Sequence, residues 1–297
     1  MESKTSYIYQ FMKSKPILYW FIFLLTVFCY LVLYGACESN VSSMANTLVA
    51  KDKMVESKYI GDIPLCPSCK ESESSTHQFG KFLKTIALHP SSYPVHLYTG
   101  AVKGNQSSAY QVLKLDIGDK NLLQCADAVM RIRAEYLKSE NLESNIKFLL
   151  ANSQWAEWNK WRNGERPKLQ TNDKFSWSVS AQPDESATTF TKYLEFVYNY
   201  ANTVSLKTSL KPRKNSIEPG DVFVQGGYPG HAVIVLRVAK DDQNRDVVML
   251  AQSYMPAQEI HVLKNGTTNS PWFIFDPSAS SFNTPDWTFK PQDLYTW

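Results

Sequence analysis

Cys125 and His231 are the two residues of this chain whose types and surroundings fit together as chemistry. A thiolate is a strong nucleophile, and an imidazole can take the thiol's proton or pair with the thiolate as a cation. The segment Leu122 to Leu137 reads as a helix opening at or just before the cysteine. Helix N-termini carry partial positive charge and free N–H groups, so this position is expected to lower the thiol pKa. Far downstream, Gly220-Asp221-Val222-Phe223-Val224 and Gly230-His231-Ala232-Val233-Ile234-Val235 read as two strands, with the histidine at the mouth of the second. Asp241-Asp242-Gln243-Asn244 reads as the turn of a hairpin joining His231–Val238 to Val247–Ala251. That register sets Gln252 close to Val233, so Gln252 and His231 share a face at one sheet end. A one-residue slip would undo this. Gln252 is thereby placed to hold the imidazole and set its tautomer, as the third member of a catalytic triad does. Gln124 is either an oxyanion donor beside the nucleophile or a neighbour of the helix cap.

The elements that must position these residues follow from hydrophobic periodicity. His77 to Lys84 reads as a short helix, Val95 to Tyr98 as extended chain, and Tyr110 to Ile117 as a half-buried strand. Thr188 to Leu210 reads as one long helix stopped by Lys211-Pro212. Between them, Trp155, Trp158, Trp161 and Trp177 interleave with Lys160, Arg162, Arg166 and Lys168. Such basic–aromatic interleaving can bind sugars or nucleic acid, but these tryptophans read better as core or groove-wall residues, with Trp155, Trp158 and Tyr228 as candidate substrate contacts. Asp127 and Arg131 have the spacing of an ion pair along one helix face. His77, His89, His96 and His261 fit no pattern and read as surface or loop residues. Helices first and antiparallel strands later argue for one α+β domain over residues 61–297. The tail around Trp272–Phe275 and Trp287 is expected to pack back on the sheet.

Composition narrows the function classes. A hydrophobic fraction of 43% and eight tryptophans indicate a globular chain with a substantial core, and a net charge of +3 from scattered basic residues gives no pointer to nucleic acid. Residues 1–36 stand apart: Ile17 to Tyr34 is uncharged, spans a bilayer's thickness, and follows Lys4, Lys13 and Lys15. This implies a signal or membrane anchor with everything after it exported, and residues 37–60 read as a linker. Leu33-Tyr34-Gly35-Ala36-Cys37 resembles a bacterial lipoprotein signal, with Cys37 the lipidated residue; the other reading is an uncleaved anchor. Cys66-Pro67-Ser68-Cys69 reads as a local disulfide or two ordinary thiols, and less well as a redox motif, because a polar run rather than a helix follows it. One CxxC pair cannot build a structural zinc site, and no metal or organic cofactor is implied. Cys125 is left without an obvious partner, and a buried core cysteine is the competing reading for it.

The order Cys125, His231, Gln252, with Gly-Asp before one strand and Gly-His opening the next, resembles the NlpC-type cell-wall peptidases and related amidases. Those carry Asp-Cys-Ser where this chain has Gln124-Cys125-Ala126. The resemblance implies a papain-like (NlpC-type) fold, a helix-borne cysteine on an antiparallel sheet, and hydrolysis or acyl transfer at an amide bond, in peptidoglycan peptides for example. Longer strings are similar to the family catalogued as domain of unknown function 4846. They are Gly104-Asn105-Gln106-Ser107, Gln124-Cys125-Ala126-Asp127-Ala128, Gly220-Asp221-Val222-Phe223, Gly230 to Val235 and Leu250 to Glu259. That resemblance implies a bacterial envelope protein, frequently a lipoprotein, and no particular chemistry. The rival expectation is a catalytically silent envelope protein that binds a glycan or peptide in the same groove.

Overall fold

The computed structural model describes residues 56–214 and 216–297. The apolar stretch Ile17 to Tyr34 that is expected to act as a signal or anchor, the lysines before it and Cys37 lie outside the described residues. Among the described residues no helix is long and apolar enough to cross a membrane.

The first third of the described chain forms β1 (Lys70–Glu71), α1 (Gln78–Lys84), β2 (Ala109–Val112) and α2 (Cys125–Ser139). The middle third forms β3 (Lys147–Leu149), β4 (Trp155–Glu157), α3 (Trp158–Arg162), β5 (Glu165–Leu169), β6 (Phe175–Val179), α4 (Ala187–Tyr200) and α5 (Thr203–Ser209). The last third is β7 (Lys211–Pro212), β8 (Val222–Gln225), β9 (His231–Lys240), β10 (Asp246–Gln252), β11 (His261–Leu263), β12 (Trp272–Phe275), β13 (Phe282–Asn283), β14 (Thr288–Phe289) and β15 (Leu294–Thr296). The result is an α+β domain whose strand pairings are antiparallel. Its main sheet runs β2-β11-β10-β9-β8-β15-β7, with β1 also on β9 and β12 also on β10. The domain takes in residues ahead of Gly61: Ser57 is buried and Tyr59 bridges to Ala87.

Each face of the sheet carries its own apolar layer. Ala232, Ile234 and Leu236 of β9 face the helices, where Ala126, Val129 and Met130 of α2 pack against them. Val233, Val235 and Val238 face the other way, in one apolar layer with Phe223 and Phe273 of the neighbouring strands and with Phe282 and Phe289 of the separate β13–β14 hairpin. Of the tail, Trp272–Phe275 joins the sheet as β12, and the segment carrying Phe282 and Phe289 folds back over it. The β9–β10 hairpin holds the register that decides the site. Near the turn Met249 pairs with Arg237, but the next pair is Leu250 with Val235, and Leu236 is left over as a bulge. Carried on without the bulge, the ladder would set Gln252 opposite Ile234, on the face turned away from His231. The extra residue restores it to the face of Val233 and His231.

Three expectations change. The helix expected over Thr188 to Leu210 is two helices, because Asn202 leaves helical geometry and its side chain accepts the Ser205 N–H at 2.9 Å while Ser205 Oγ accepts the Asn202 N–H at 3.0 Å. This reciprocal cap starts α5 afresh. His261 is not a surface or loop residue: it lies fully buried in β11, directly across from Gln252. Asp127 does not pair with Arg131, whose Nε instead donates to Glu135 Oε1 at 2.7 Å. Cys66 and Cys69 form a disulfide, and Cys125 is a free thiol.

Gly220, of the Gly-Asp pair that leads into β8, has φ +91°, and a Cβ built there would lie 2.3 Å from Phe79 Cδ1 of α1. Gly220→Ala combines a strained backbone with overpacking, so its unfolding free energy should fall by about 2–4 kcal/mol. A urea midpoint lowered at unchanged slope is the expected readout.

Candidate functional site

Helix α2 opens at Cys125 because Gln124 adopts extended geometry and its backbone N–H is taken by Asp127 Oδ2 at 3.0 Å. An acidic residue at the third helical position is a standard way to satisfy an orphan donor of the first turn. The cysteine is 8% exposed. Burial pushes its thiol up to about 11, assisted by the Asp127 carboxylate, while the backbone N–H groups of Ala232, Ala126 and Cys125 itself pull the other way. The expected lowering by the helix N-terminus is therefore outweighed, since the same packing that buries the helix start removes the water a thiolate needs. Asp127 is buried as well. Its Oδ1 has no hydrogen-bond partner, and burial raises its carboxyl to about 8.

His231 enters β9 through Gly230, whose missing Cβ would otherwise lie 2.5 Å from Thr203 Oγ1 and 2.7 Å from Gly227 O. Only glycine lets β9 start this close to α5. The His231 Nε2 is 2.8 Å from Gln252 Oε1, so the hydrogen bond expected from strand register is present. Around the ring stand Tyr254, Trp287 and Phe289, with centroids 5.0, 5.3 and 5.9 Å away. Burial lowers the imidazole pKa to about 4, against the opposing pull of the Gln252 bond and the Asp286 charge. At neutral pH the pair is a neutral thiol and a neutral imidazole.

Cys125 and His231 border one cavity of about 310 Å³, with Gln124, Asp127, Tyr228 and Tyr254 among its other walls. Tyr228 stands fully exposed at its rim. The cavities of about 190 and 350 Å³ elsewhere in the domain contain neither thiol nor imidazole. The tryptophan-rich segment does not reach this cavity. Trp158 is buried between Phe190 and Tyr193, and Trp155 lies on β4 under the Lys147 ammonium. Both are thus removed from the groove-wall role expected of them. Sequence reading missed Tyr254, Asp286 and Trp287. Asp286 Oδ2 accepts from Gln252 Nε2 at 2.7 Å, and Trp287 Nε1–H donates to Gln225 Oε1 at 2.9 Å. The Pro285-Asp286 pair, a common turn dipeptide, is the signal that could have marked their turn. Among the described residues no group of three or more His, Cys, Asp or Glu is set to hold a metal ion.

Two pH dependences follow. Alkylation of Cys125 by iodoacetamide should keep accelerating past pH 9 instead of levelling near neutrality, and Asp127→Asn should move the curve to lower pH. A plateau near pH 7 would mean a preformed ion pair. For stability, His261 is also lowered to about 4 by burial. As pH falls, the unfolded chain takes up the His261 proton near 6.5 and the folded chain only near 4. Its contribution is therefore complete above 6.5 and lost between 6.5 and 4, about 3 kcal/mol in all. Asp127 acts in the opposite sense, losing stability as pH rises from about 4 to 8, but equally with and without His261. The fall in urea-unfolding free energy from pH 7 to 4 should thus be smaller by about 3 kcal/mol in His261→Gln.

A family model described as Domain of unknown function (4846) matches residues 63–296. No curated protein and no solved structure matches the chain. The matched span contains Cys125, His231, Gln252 and Asp286 together with nearly all of the described fold, and the chain belongs to the family described as domain of unknown function (4846).

Proposed function

We propose that the cavity is the active site of a thiol hydrolase or acyltransferase that cleaves an amide bond, on a papain-like (NlpC-type) frame. The observation that carries this reading is the 2.8 Å bond from His231 to Gln252 at the cavity that Cys125 also lines. Cys125 is the nucleophile, His231 the base and Gln252 the residue that orients the ring. The imidazole takes the thiol proton as sulfur bonds to the substrate carbonyl carbon, and the resulting oxyanion is stabilised by N–H groups at the start of α2. The C–N bond then breaks, the imidazolium returns the proton to the leaving amine, and a thioester remains on Cys125. Water or a second amine attacks the thioester with the imidazole again as base, regenerating the thiol. Gln124 and Tyr228 line the path of the substrate. Because both partners rest neutral, the base acts during attack and not by holding a stored thiolate.

The setting we propose is the bacterial cell envelope. The segment 1–36 holds the domain at the membrane outside the cytoplasm, with Cys37 as the lipidation site if the segment is cleaved, and the peptides of peptidoglycan are the substrate class. A second reading is a catalytically silent protein that binds a glycan or peptide in the cavity. It is favoured by the burial that raises the thiol to about 11 and lowers the imidazole to about 4.

p-Nitrophenyl acetate separates the two. The full-length protein in detergent should form an acetyl-thioester on Cys125, detected by mass spectrometry of the tryptic peptide. His231→Ala should slow acylation by about 10²–10⁴-fold. Equal rates in the two folded proteins would remove the hydrolase reading and leave the binding one.

A further inference from the structure

We propose that Asp286 is a positioning residue that selects the His231 tautomer through Gln252, and so decides which imidazole nitrogen carries the basic lone pair. This rests on reading the cavity as a Cys–His site. Hydrogen-bond polarity fixes the arrangement. A carboxylate oxygen can only accept, so the Gln252 atom 2.7 Å from Asp286 Oδ2 is the amide nitrogen. That turns the amide oxygen toward His231, 2.8 Å from Nε2. An amide oxygen also only accepts, so Nε2 carries the ring proton. In a neutral imidazole the other nitrogen, Nδ1, is then the lone-pair base. Without Asp286, the Gln252 amide can turn over and present its NH2 to the ring, which holds the opposite tautomer equally well. The choice between a base at Nδ1 and a base at Nε2 therefore lies with a carboxylate one side chain removed from the imidazole.

The turn that carries Asp286 is built to hold this position. Thr284 N–H and Thr284 Oγ–H both donate to Trp287 O at 2.8 Å, closing the Thr284–Trp287 turn between β13 and β14. Trp287 is in turn bound to Gln225, the residue paired with His231 across β8 and β9. One four-residue turn thus grips His231 twice: Trp287 through the partner strand, and Asp286 through Gln252. Other titratable groups face the same cluster. They are Lys103, whose Nζ donates to Ser108 Oγ at 3.2 Å, His261 opposite Gln252, Tyr254 against the ring, and Cys125 with Asp127 across the cavity. The Asp286 carboxylate is the anion that raises the basicity of His231 among them.

The test is tautomer detection by NMR on full-length protein labelled with 15N-histidine, His231 being assigned among the five histidines by its loss in His231→Gln. In the unsubstituted protein the proton should sit on Nε2 alone. In Asp286→Ala the two nitrogens should report a mixture of tautomers, and acylation of Cys125 by p-nitrophenyl acetate should fall about 10- to 100-fold. Asp286→Asn keeps an acceptor for Gln252 but no charge, so the Nε2 proton should remain while the His231 titration moves to lower pH. An Nε2 proton undisturbed in Asp286→Ala overturns the proposal. If Asp286→Ala does not fold, an Asp286→Asn protein with an unmoved His231 titration overturns it equally. A tautomer that mixes in Asp286→Ala, in a protein that never acylates, upholds the role of Asp286 and removes the hydrolase reading alone.

Discussion

The bond between His231 and Gln252 depends on a single unpaired residue in the sheet. Side chains alternate along a strand, so two residues on adjacent strands meet only when the register between them has the right parity. Measured from the hairpin turn, the β9–β10 register has the wrong parity for this pair, and the bulge at Leu236 corrects it. Everything on that side of the imidazole follows. Gln252 arrives at the face of His231, Asp286 reaches Gln252, and Trp287 and Phe289 close over the ring. Helix α2 lies against the opposite face, over Ala232 and Ile234. Thiol and imidazole therefore belong to different sides of the sheet and can share a cavity only at its end, where β9 begins.

Burial governs the electrostatics of that cavity. The first turn of α2 supplies backbone N–H groups near the sulfur, which favour charge, but desolvation and the neighbouring Asp127 carboxylate favour the neutral thiol and prevail. The same balance leaves the imidazole neutral despite the nearby Asp286. A neutral pair costs less to bury than an ion pair, whose attraction seldom offsets the loss of two hydration shells. Asp127 belongs to this arrangement. One oxygen caps the helix and the other is unpartnered, so its own carboxyl is driven toward protonation.

The bond between His231 and Gln252, and the place of Cys125 at the same cavity, were legible in sequence because each residue sits at a landmark of local structure: a helix start, a strand mouth and a hairpin end. The hairpin reading puts Gln252 beside Val233, where the bulged register sets it, although a symmetric turn conceals both the register near the turn and the bulge that compensates for it. The split of the helix at Asn202 could have been read from its Asn-x-x-Ser cap, but the apolar periodicity of Thr188 to Leu210 runs through it unbroken. The burial of His261 left no trace, since a histidine in a short strand looks the same whether its face is wet or covered. Trp158 and Trp155 share one local pattern and separate only through packing, one between Phe190 and Tyr193 and the other at a half-exposed hairpin.

By itself the sequence determined the α+β class, the segments that become the helix and strands of the site, the chain order of its trio, and membership of the family, because these depend on periodicity and on residues near one another in the chain. The tertiary structure alone decided that Asp286, 34 residues beyond Gln252, and Trp287 join the candidate site, and that its thiol and imidazole rest neutral. Contacts across that separation are set by how the tail folds over the sheet, and desolvation is set by what covers a group. Neither quantity is written in local sequence.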